Sequence, residues 1–267
     1  MTALNKIKNI QKQNNSILCI GLDSDLNKIP NHFSKDINSL IKFNIDVIES
    51  TKDLVCAYKI NFAFYEQYGI DGFSILKDTF DYIPQNIFTI ADAKRGDIGN
   101  TSTAYAKSVF EYFKADSVTV NPYMGQDSVA PFIKFKDKMV FLLAMTSNIG
   151  SNDFQKIVSD GKPLYQTVIE KSKRWSTHEQ LGFVVGATHP EELKKIREII
   201  PQHCLLIPGI GSQGGNIYGS ISANSGGLAI INVSRDIIYA SQEKDFKETI
   251  RERAKYYQIL FNNAAKS

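Results

Sequence analysis

The chain has 267 residues, of which 43% are hydrophobic and 22% are charged, and this composition excludes a disordered or fibrous protein. Its 31 Lys and Arg residues against 28 Asp and Glu residues give a net charge of +3, which is too small to indicate nucleic-acid binding. No apolar run is long enough to span a membrane, and residues 1–13 lack the apolar segment of a signal peptide, so we expect a cytoplasmic protein.

The sequence has three cysteines, Cys19, Cys56 and Cys204, and each lies beside an apolar segment. An odd number of cysteines without a CxxC pair favours buried, reduced thiols over a disulfide framework or a zinc site. The four histidines are dispersed along the chain and give no metal-ligand pattern either. We therefore expect a protein that needs no metal ion.

Eight short apolar runs, often rich in β-branched residues, recur along the chain. They cover residues 17–21, 54–60, 87–91, 118–120, 139–145, 183–186, 204–207 and 228–232. They are nearly continuous in their hydrophobicity and do not alternate cleanly with polar residues. This is typical of parallel strands that are buried on both faces.

The segments between these runs carry apolar residues at helical spacing. The predicted stripes are Leu40, Ile41, Ile45 and Ile48; Phe73, Leu76, Phe80 and Ile83; Ala106, Val109, Phe110 and Phe113; Leu193, Ile196 and Ile200; and Phe246, Ile250, Tyr257 and Leu260. Strands that alternate with helices, without a linker, predict an α/β fold: a single (β/α)8 TIM barrel over residues 1–267. A doubly wound open sheet is the alternative that fits the same alternation.

Polar side chains follow seven of the eight predicted strands, at their C-terminal ends. Asp23 follows the first strand, Lys59 belongs to the end of the second, and Ser147 follows the fifth. In a barrel these ends share one mouth, which is the face where active sites form. Loops are polar in any protein, so the joint placement of these residues carries more weight than any one of them.

The segment Asp92-Ala93-Lys94-Arg95-Gly96-Asp97 follows the third predicted strand. In an extended chain, Asp92 and Lys94 project to the same side because they are two residues apart. Asp97 follows the turn, and carboxylates near a lysine favour its ammonium form. A surface ion-pair cluster is the structural alternative. However, the preceding residues 88–91 are predicted to be buried, and buried charges are costly unless they have a function.

A glycine-rich loop at residues 208–215 follows the seventh predicted strand, and Arg235 follows the eighth. Glycines let the backbone approach a ligand closely, and arginine is a bidentate donor suited to phosphate. The loops after strands seven and eight commonly form the phosphate site of a TIM barrel. A flexible glycine turn is the alternative for the loop alone. Its glycine spacing does not match a dinucleotide-binding or Walker motif.

On these residues the chain resembles the orotidine 5′-phosphate decarboxylase family, in its longer bacterial branch, over nearly its whole length. The most specific match is the segment 91–101. The supporting segments are Gly21-Leu22-Asp23, Tyr58-Lys59-Ile60-Asn61, Thr146-Ser147-Asn148, residues 208–215 and Ser234-Arg235. The resemblance implies conversion of orotidine 5′-phosphate (OMP) to UMP and CO2 in pyrimidine biosynthesis, without a metal or other cofactor.

The resemblance also implies a role for each matched position. Lys94 would donate a proton to C6 of the pyrimidine, flanked by Asp92 and Asp97. The remaining positions would bind substrate: Asp23 and Lys59 at the ribose, Asp97 and Thr101 at the ribose of a neighbouring subunit in a homodimer, Ser147 at the pyrimidine edge, Gln213 and Arg235 at the phosphate, and Gly211, Gly214, Gly215 and Ser234 in the same phosphate-side motifs.

One position departs from the family pattern. Ile149 stands where this branch usually has proline, which predicts a looser loop on the pyrimidine side. Two other functions remain open. A metal-using sugar-phosphate decarboxylase or aldol-type synthase of the same superfamily would share the DxKxxD segment, although Ser147 and Gln213 favour a nucleotide. A non-catalytic regulator that binds a phosphorylated metabolite would not need the intact Asp92, Lys94 and Asp97.

Overall fold

Ten β-strands are present in the computed structural model of the chain, which describes residues 1–188, 190–209 and 217–265. They are β1 (Leu18–Gly21), β2 (Ala57–Asn61), β3 (Phe88–Arg95), β4 (Ser117–Val120), β5 (Met139–Met145), β6 (Val158–Ser159), β7 (Lys162–Pro163), β8 (Leu181–Val185), β9 (Leu205–Ile207) and β10 (Ala229–Val233). Eight of them form a closed parallel barrel in the order β1-β10-β9-β8-β5-β4-β3-β2. The short strands β6 and β7 form a separate antiparallel pair.

Helices connect the strands and surround the barrel. They are α1 (Ala3–Asn14), α2 (Asn38–Thr51), α3 (Ala63–Glu66), α4 (Gly69–Tyr82), α5 (Gly99–Lys107), α6 (Gln126–Ile133), α7 (Ser151–Phe154), α8 (Leu164–Ser172), α9 (Pro190–Ile199), α10 (Ile217–Ala223), α11 (Arg235–Ile238) and α12 (Phe246–Ala264). A π-helical turn, Ser108–Tyr112, continues α5. Within the described residues, no helix has both the length and the apolar character needed to cross a lipid bilayer.

The barrel strands are buried on both faces, as their continuous hydrophobicity predicts. Every residue of β1, β4, β8, β9 and β10 is buried. Alternate residues point into the barrel and out towards the helices. In β2, for example, Tyr58 points outward and its hydroxyl lies 2.7 Å from Thr51 Oγ1 of α2, whereas Lys59 lines the barrel interior.

Helix α1 covers the N-terminal end of the barrel. Its apolar side chains Leu4, Ile7 and Ile10 are buried in the core. Lys6 Nζ donates to Asp116 Oδ2 at 2.6 Å, which ties the helix to the segment that precedes β4. The helix therefore lies at the end of the barrel opposite to the C-terminal ends of the strands.

The predicted (β/α)8 barrel is confirmed, and the open-sheet alternative is wrong because β1 pairs with both β2 and β10. Each of the eight predicted runs overlaps a barrel strand, although the bounds shift by a few residues. The largest difference lies in β3, which we predicted to end at Ala91 and which continues to Arg95. The helical stripes are largely buried, but Phe73 is 40% exposed because α4 packs through Ile75, Leu76 and Phe80.

Candidate active site

A cavity of about 290 Å³ opens at the C-terminal end of the barrel, where the strand ends meet. It is lined by Asp23, Lys59, Asn61, Asp92, Lys94, Thr119, Leu143, Thr146, Ser147, Asn148, Val184, Leu206, Pro208, Gly209, Asn232, Ser234 and Arg235. Charged groups lie on the β1 to β3 side, and apolar side chains from β5, β8 and β9 form another wall. The structure thus brings together most of the predicted site residues that it describes.

Four charged side chains of alternating sign form a row across the ends of β1, β2 and β3. Lys59 Nζ lies 3.5 Å from Asp23 Oδ1 and 3.0 Å from Asp92 Oδ2. Lys94 Nζ lies 2.7 Å from the other oxygen of Asp92, Oδ1. Asp92 therefore bridges two ammonium groups, as the sequence predicts for its pairing with Lys94.

The row is buried at its centre and open at Lys94. Lys59 and Asp92 are 5% and 8% exposed, whereas the Lys94 side chain is 50% exposed towards the cavity. Burial alone would lower the pKa of Lys59, but Asp23 and Asp92 outweigh it and raise that pKa above its ordinary value. Burial would raise the pKa of Asp92, but Lys59 and Lys94 outweigh it and hold that pKa below its ordinary value. Lys59 and Asp92 are therefore both charged at neutral pH.

A bulge in β3 carries Lys94. The register with β4 runs from Ala91 opposite Val118 to Arg95 opposite Val120, so β3 has more residues than β4 over this stretch. Lys94 has a φ of +46°, in the left-handed region that non-glycine residues seldom adopt. Arg95 pairs again with β4 by accepting a hydrogen bond from Asn121 N at 2.8 Å. We did not predict this continuation because charged residues usually mark the end of a buried strand.

Thr119 of β4 lies beside the bulge and was missed as a site residue. Its hydroxyl donates to Asp92 Oδ1 at 2.9 Å and accepts the backbone N–H of Lys94 at 3.0 Å. Asn61 and Asn232 also line the cavity without having been predicted to bind substrate. The available signal was alternation, because each lies near the C-terminal end of a strand on its interior face.

Ser147 lies at the cavity wall in the loop that follows β5, as predicted. A Cβ at Gly186 would be 2.8 Å from Ser147 N, so only glycine lets the end of β8 approach this loop. Gln155, which we did not predict, fixes the loop: its Oε1 accepts Thr146 N–H and its Nε2 donates to Thr146 Oγ1, both at 2.8 Å. Ile149, at the departure from the family pattern, is 89% exposed.

Ser234 and Arg235 line the cavity where β10 meets α11. Ser234 Oγ donates to Gly21 O at 2.9 Å, and a Cβ on Gly21 would lie 2.8 Å from Ser234 Cβ, so this contact requires a glycine in β1. The predicted phosphate-side residues Gly211, Gln213, Gly214 and Gly215 lie outside the described residues.

Two predicted site residues do not line the cavity of their own chain. Asp97 and Thr101 are absent from the residues described as lining it. Asp97 Oδ1 accepts the N–H of Ile98 at 2.8 Å, and Thr101 is exposed on α5. Both lie just beyond β3, at the same end of the barrel as the cavity.

No cysteine is among the described residues that line the site. The three cysteines are free and buried, and burial raises the pKa of each thiol, to about 12 for Cys204. Such thiols are poor nucleophiles. Across residues 1–188, 190–209 and 217–265, no three His, Cys, Asp or Glu side chains are grouped so that they could hold a metal ion.

Comparisons with known proteins give a consistent result. A family model described as "Orotidine 5′-phosphate decarboxylase / HUMPS family" matches residues 16–250. A protein of Flavobacterium johnsoniae named orotidine 5′-phosphate decarboxylase is 50% identical over 250 residues, which cover 91% of this chain and 90% of the relative. A protein of the same name from Dehalococcoides mccartyi is 45% identical over 273 residues, covering 100% and 99%. The solved OMP decarboxylase of Leishmania donovani superposes with a TM-score of 0.88 at 34% identity and covers 100% of both chains.

Proposed function

The chain belongs to the orotidine 5′-phosphate decarboxylase / HUMPS family, and we propose that its barrel-mouth cavity converts OMP to UMP and CO2 in pyrimidine biosynthesis. The named relatives support the decarboxylase over the synthase and regulator alternatives. The observation that carries the proposal is the alternating row Asp23, Lys59, Asp92 and Lys94 at the strand ends.

The row suits a reaction in which negative charge develops on carbon. When the bond between C6 and the carboxylate breaks, CO2 leaves as a neutral molecule and the electron pair stays on C6. The carbanion is vinylic and has no adjacent carbonyl to delocalise it. An ammonium held in a fixed position beside C6 stabilises this charge electrostatically as it forms.

Lys94 is the ammonium that we assign to C6. Its side chain is the open end of the row, and its contact with Asp92 holds it at the cavity. Lys94 Nζ transfers a proton to C6, which yields UMP, and the neutral amine then takes a proton from solvent. Asp92 contacts Lys94 through one carboxylate oxygen and Lys59 through the other, and these two contacts together fix the orientation of the carboxylate. The charges are therefore arranged before the reaction begins.

The other cavity residues provide contacts for the rest of the nucleotide. Asp23 lines the cavity, and its Oδ1 accepts no hydrogen bond from the described residues, so this carboxylate would accept one from a ribose hydroxyl. Lys59 lies 3.5 Å from it and would share that hydroxyl. Ser147 would meet the pyrimidine edge. Arg235 and Ser234 would hold the phosphate together with Gln213 and the glycines 211, 214 and 215.

The phosphate contributes to catalysis although it lies away from C6. Binding energy from a remote group can fix the reacting base against the charged row, and this lowers the barrier and not only the KM. Arg235, at the mouth, is the described cation that we assign to this contact.

We further propose a cytoplasmic homodimer in which Asp97 and Thr101 complete the neighbour's site. Both residues follow β3 at the mouth end, and neither lines its own chain's cavity among the described residues. Asp97 from the partner would extend the alternating row with a further carboxylate. A two-fold interface brings both loops to both mouths at once.

The direct test is turnover of OMP, followed by the loss of orotate absorbance and by release of CO2. We expect activity that is equal with and without EDTA. A sugar phosphate offered in place of OMP should not react. Binding of OMP without turnover would favour the regulator, and activity that EDTA abolishes would favour the metal-using relatives.

A further inference from the structure

Thr119 is a polar side chain at an interior position of the barrel. It lies on β4, lines the cavity and is 1% exposed. Its neighbours in the strand, Val118 and Val120, are apolar and buried. A hydroxyl in such surroundings is unfavourable unless it is hydrogen-bonded, so its partners indicate what it does there.

Both partners of the Thr119 hydroxyl belong to the charged row. Oγ1 donates to Asp92 Oδ1 at 2.9 Å and accepts the backbone N–H of Lys94 at 3.0 Å. A hydroxyl has a single proton, so the Thr119 proton points to Asp92 and an oxygen lone pair accepts the Lys94 N–H. The same Asp92 oxygen contacts Lys94 Nζ at 2.7 Å. One side chain thus holds both the backbone of the lysine and the carboxylate that orients its ammonium.

The β3 bulge explains why a side chain is needed at this point. Between Ala91 and Arg95 the backbone of β3 is out of register with β4. Lys94 adopts its left-handed conformation within this stretch, and its N–H bonds to a side chain of β4 and not to the backbone ladder. Thr119 therefore supplies at the bulge the acceptor that regular strand pairing supplies elsewhere.

We propose that Thr119 is a positioning residue of the decarboxylation, whose hydroxyl fixes Asp92 and the Lys94 backbone so that the Lys94 ammonium meets C6. This inference rests on the function proposed above. Thr119 acts through Lys94, so losing its hydroxyl affects the chemical step more than substrate binding. Half of the Lys94 side chain is exposed, so it can turn away from C6 once Thr119 no longer holds its backbone.

The test compares Thr119→Val with Thr119→Ser. Valine keeps the shape and removes both hydrogen bonds, and we expect kcat to fall on the order of 10- to 100-fold, as for a small misplacement of a reacting group. KM and the affinity for UMP should change by less than about threefold, because binding relies on other residues. Serine keeps the hydroxyl and should restore kcat to within about threefold of the wild type.

A second readout reports on Lys94 directly. The group that protonates C6 must also remove that proton in the reverse direction, so exchange of the C6 hydrogen of UMP with D2O measures the reach of the ammonium without loss of CO2. We expect this exchange to slow in Thr119→Val in parallel with kcat. A merely structural threonine would not change it in the folded protein.

Ser117→Ala is the matched control. Ser117 is a buried hydroxyl two residues earlier on β4, and it donates to Thr89 O at 3.1 Å, outside the charged row. Its loss should leave kcat, KM and exchange unchanged. If Thr119→Val does not fold, Thr119→Cys serves instead, because it matches serine in size and forms weak hydrogen bonds.

Three results would overturn the role of Thr119. They are wild-type kcat in the valine variant, a serine variant as slow as the valine variant, and a raised KM with unchanged kcat, which would make Thr119 a substrate contact. An inactive wild-type protein would overturn the proposed function and the inference with it. An active wild type with an unaffected valine variant would overturn the inference alone.

Discussion

Lys59 and Lys94 contact the same carboxylate but have different surroundings, so their removal should have different effects. Lys94→Ala leaves Asp92 bonded to Lys59 and Thr119, and we expect loss of decarboxylation in a protein of nearly unchanged stability. Lys59→Ala leaves Asp23 and Asp92 without the buried cation between them. We expect this change to lower the free energy of unfolding by about 3–5 kcal/mol.

Urea unfolding and the OMP assay measure these two effects separately. Lys52→Ala is the control, because Lys52 Nζ also lies 2.7 Å from a carboxylate, that of Glu49, but on the surface. It should change stability by less than about 1 kcal/mol and leave activity intact. A Lys94→Ala variant with near-wild-type kcat would show that Lys94 is not the acid.

Arg235→Ala tests the assigned phosphate contact. Loss of a charge-assisted bidentate donor should lower kcat/KM for OMP by a factor that corresponds to about 2–3 kcal/mol. The phosphate-free nucleoside, orotidine, cannot use this contact, so its slower turnover should be nearly unchanged. Equal losses for both substrates would mean that Arg235 does not touch the phosphate.

We expect His203 to make the folded protein sensitive to acid. Its Nδ1 and Nε2 are buried without a hydrogen-bond partner among the described residues, and its ring packs against Phe183 with centroids 5.6 Å apart. Burial, together with the smaller effects of the nearby charges of His178, Arg197 and Lys173, lowers the pKa of His203 to about 4. Between pH 6.5 and 4 the unfolded chain therefore binds a proton that the folded protein does not, so stability falls as the pH decreases through this window.

His203→Phe removes the titration and keeps an aromatic ring on Phe183. The difference in unfolding free energy between pH 7 and pH 4 should shrink by about 1–2 kcal/mol, allowing for the partial exposure of the ring. The same substitution at the exposed His32 controls for the added apolar surface. An unchanged pH dependence in His203→Phe would show that another group controls acid stability.

The sequence predicts the positions of the strands better than the residues at which they end. The apolar run 139–145 matches β5 completely, because burial on both faces leaves a clear hydrophobic signal. The end of β3 could not be predicted in this way, since the Asp92 carboxylate and the Lys94 N–H have their partners on the neighbouring strands β2 and β4. Hydrophobicity along the chain contains no information about such tertiary partners.

The candidate site divides in the same way. Lys94 and Asp92 could be found because their residue types and spacing indicate chemistry directly. Thr119 and Gln155 could not, because a threonine in a strand and a glutamine in a loop are ordinary residues until their contacts are known. The sequence therefore indicates the charged groups, but it does not indicate Thr119, which contacts them, or Gln155, which fixes the loop at Thr146.

Helix α1 provides a prediction about stability alone. Ile7 is fully buried at the N-terminal end of the barrel, at the opposite end from the cavity. Ile7→Ala should lower the free energy of unfolding by about 2–4 kcal/mol through lost contacts and a cavity. The kcat and KM of the folded fraction should not change. The exposed Lys8 on the same helix is the control, and its change to alanine should have little effect on either quantity.

The proposed homodimer can be tested by asking whether two chains share their active sites. If Asp97 completes the neighbour's site, mixing the inactive variants Lys94→Ala and Asp97→Ala should restore activity. Each mixed dimer then has one site with both lesions and one with neither. Random exchange of equal amounts should recover about a quarter of wild-type activity. No recovery despite subunit exchange, verified by mass spectrometry, would assign Asp97 to its own chain's site.

The barrel closes where β1 pairs with β10, so residues 18–21 meet residues 229–233. During translation, β1 leaves the ribosome long before its last partner has been made. A growing chain therefore carries an open sheet edge for most of its synthesis, and such edges invite association with other chains. The edge of β1 therefore stays open to such association until residues 229–233 have been made.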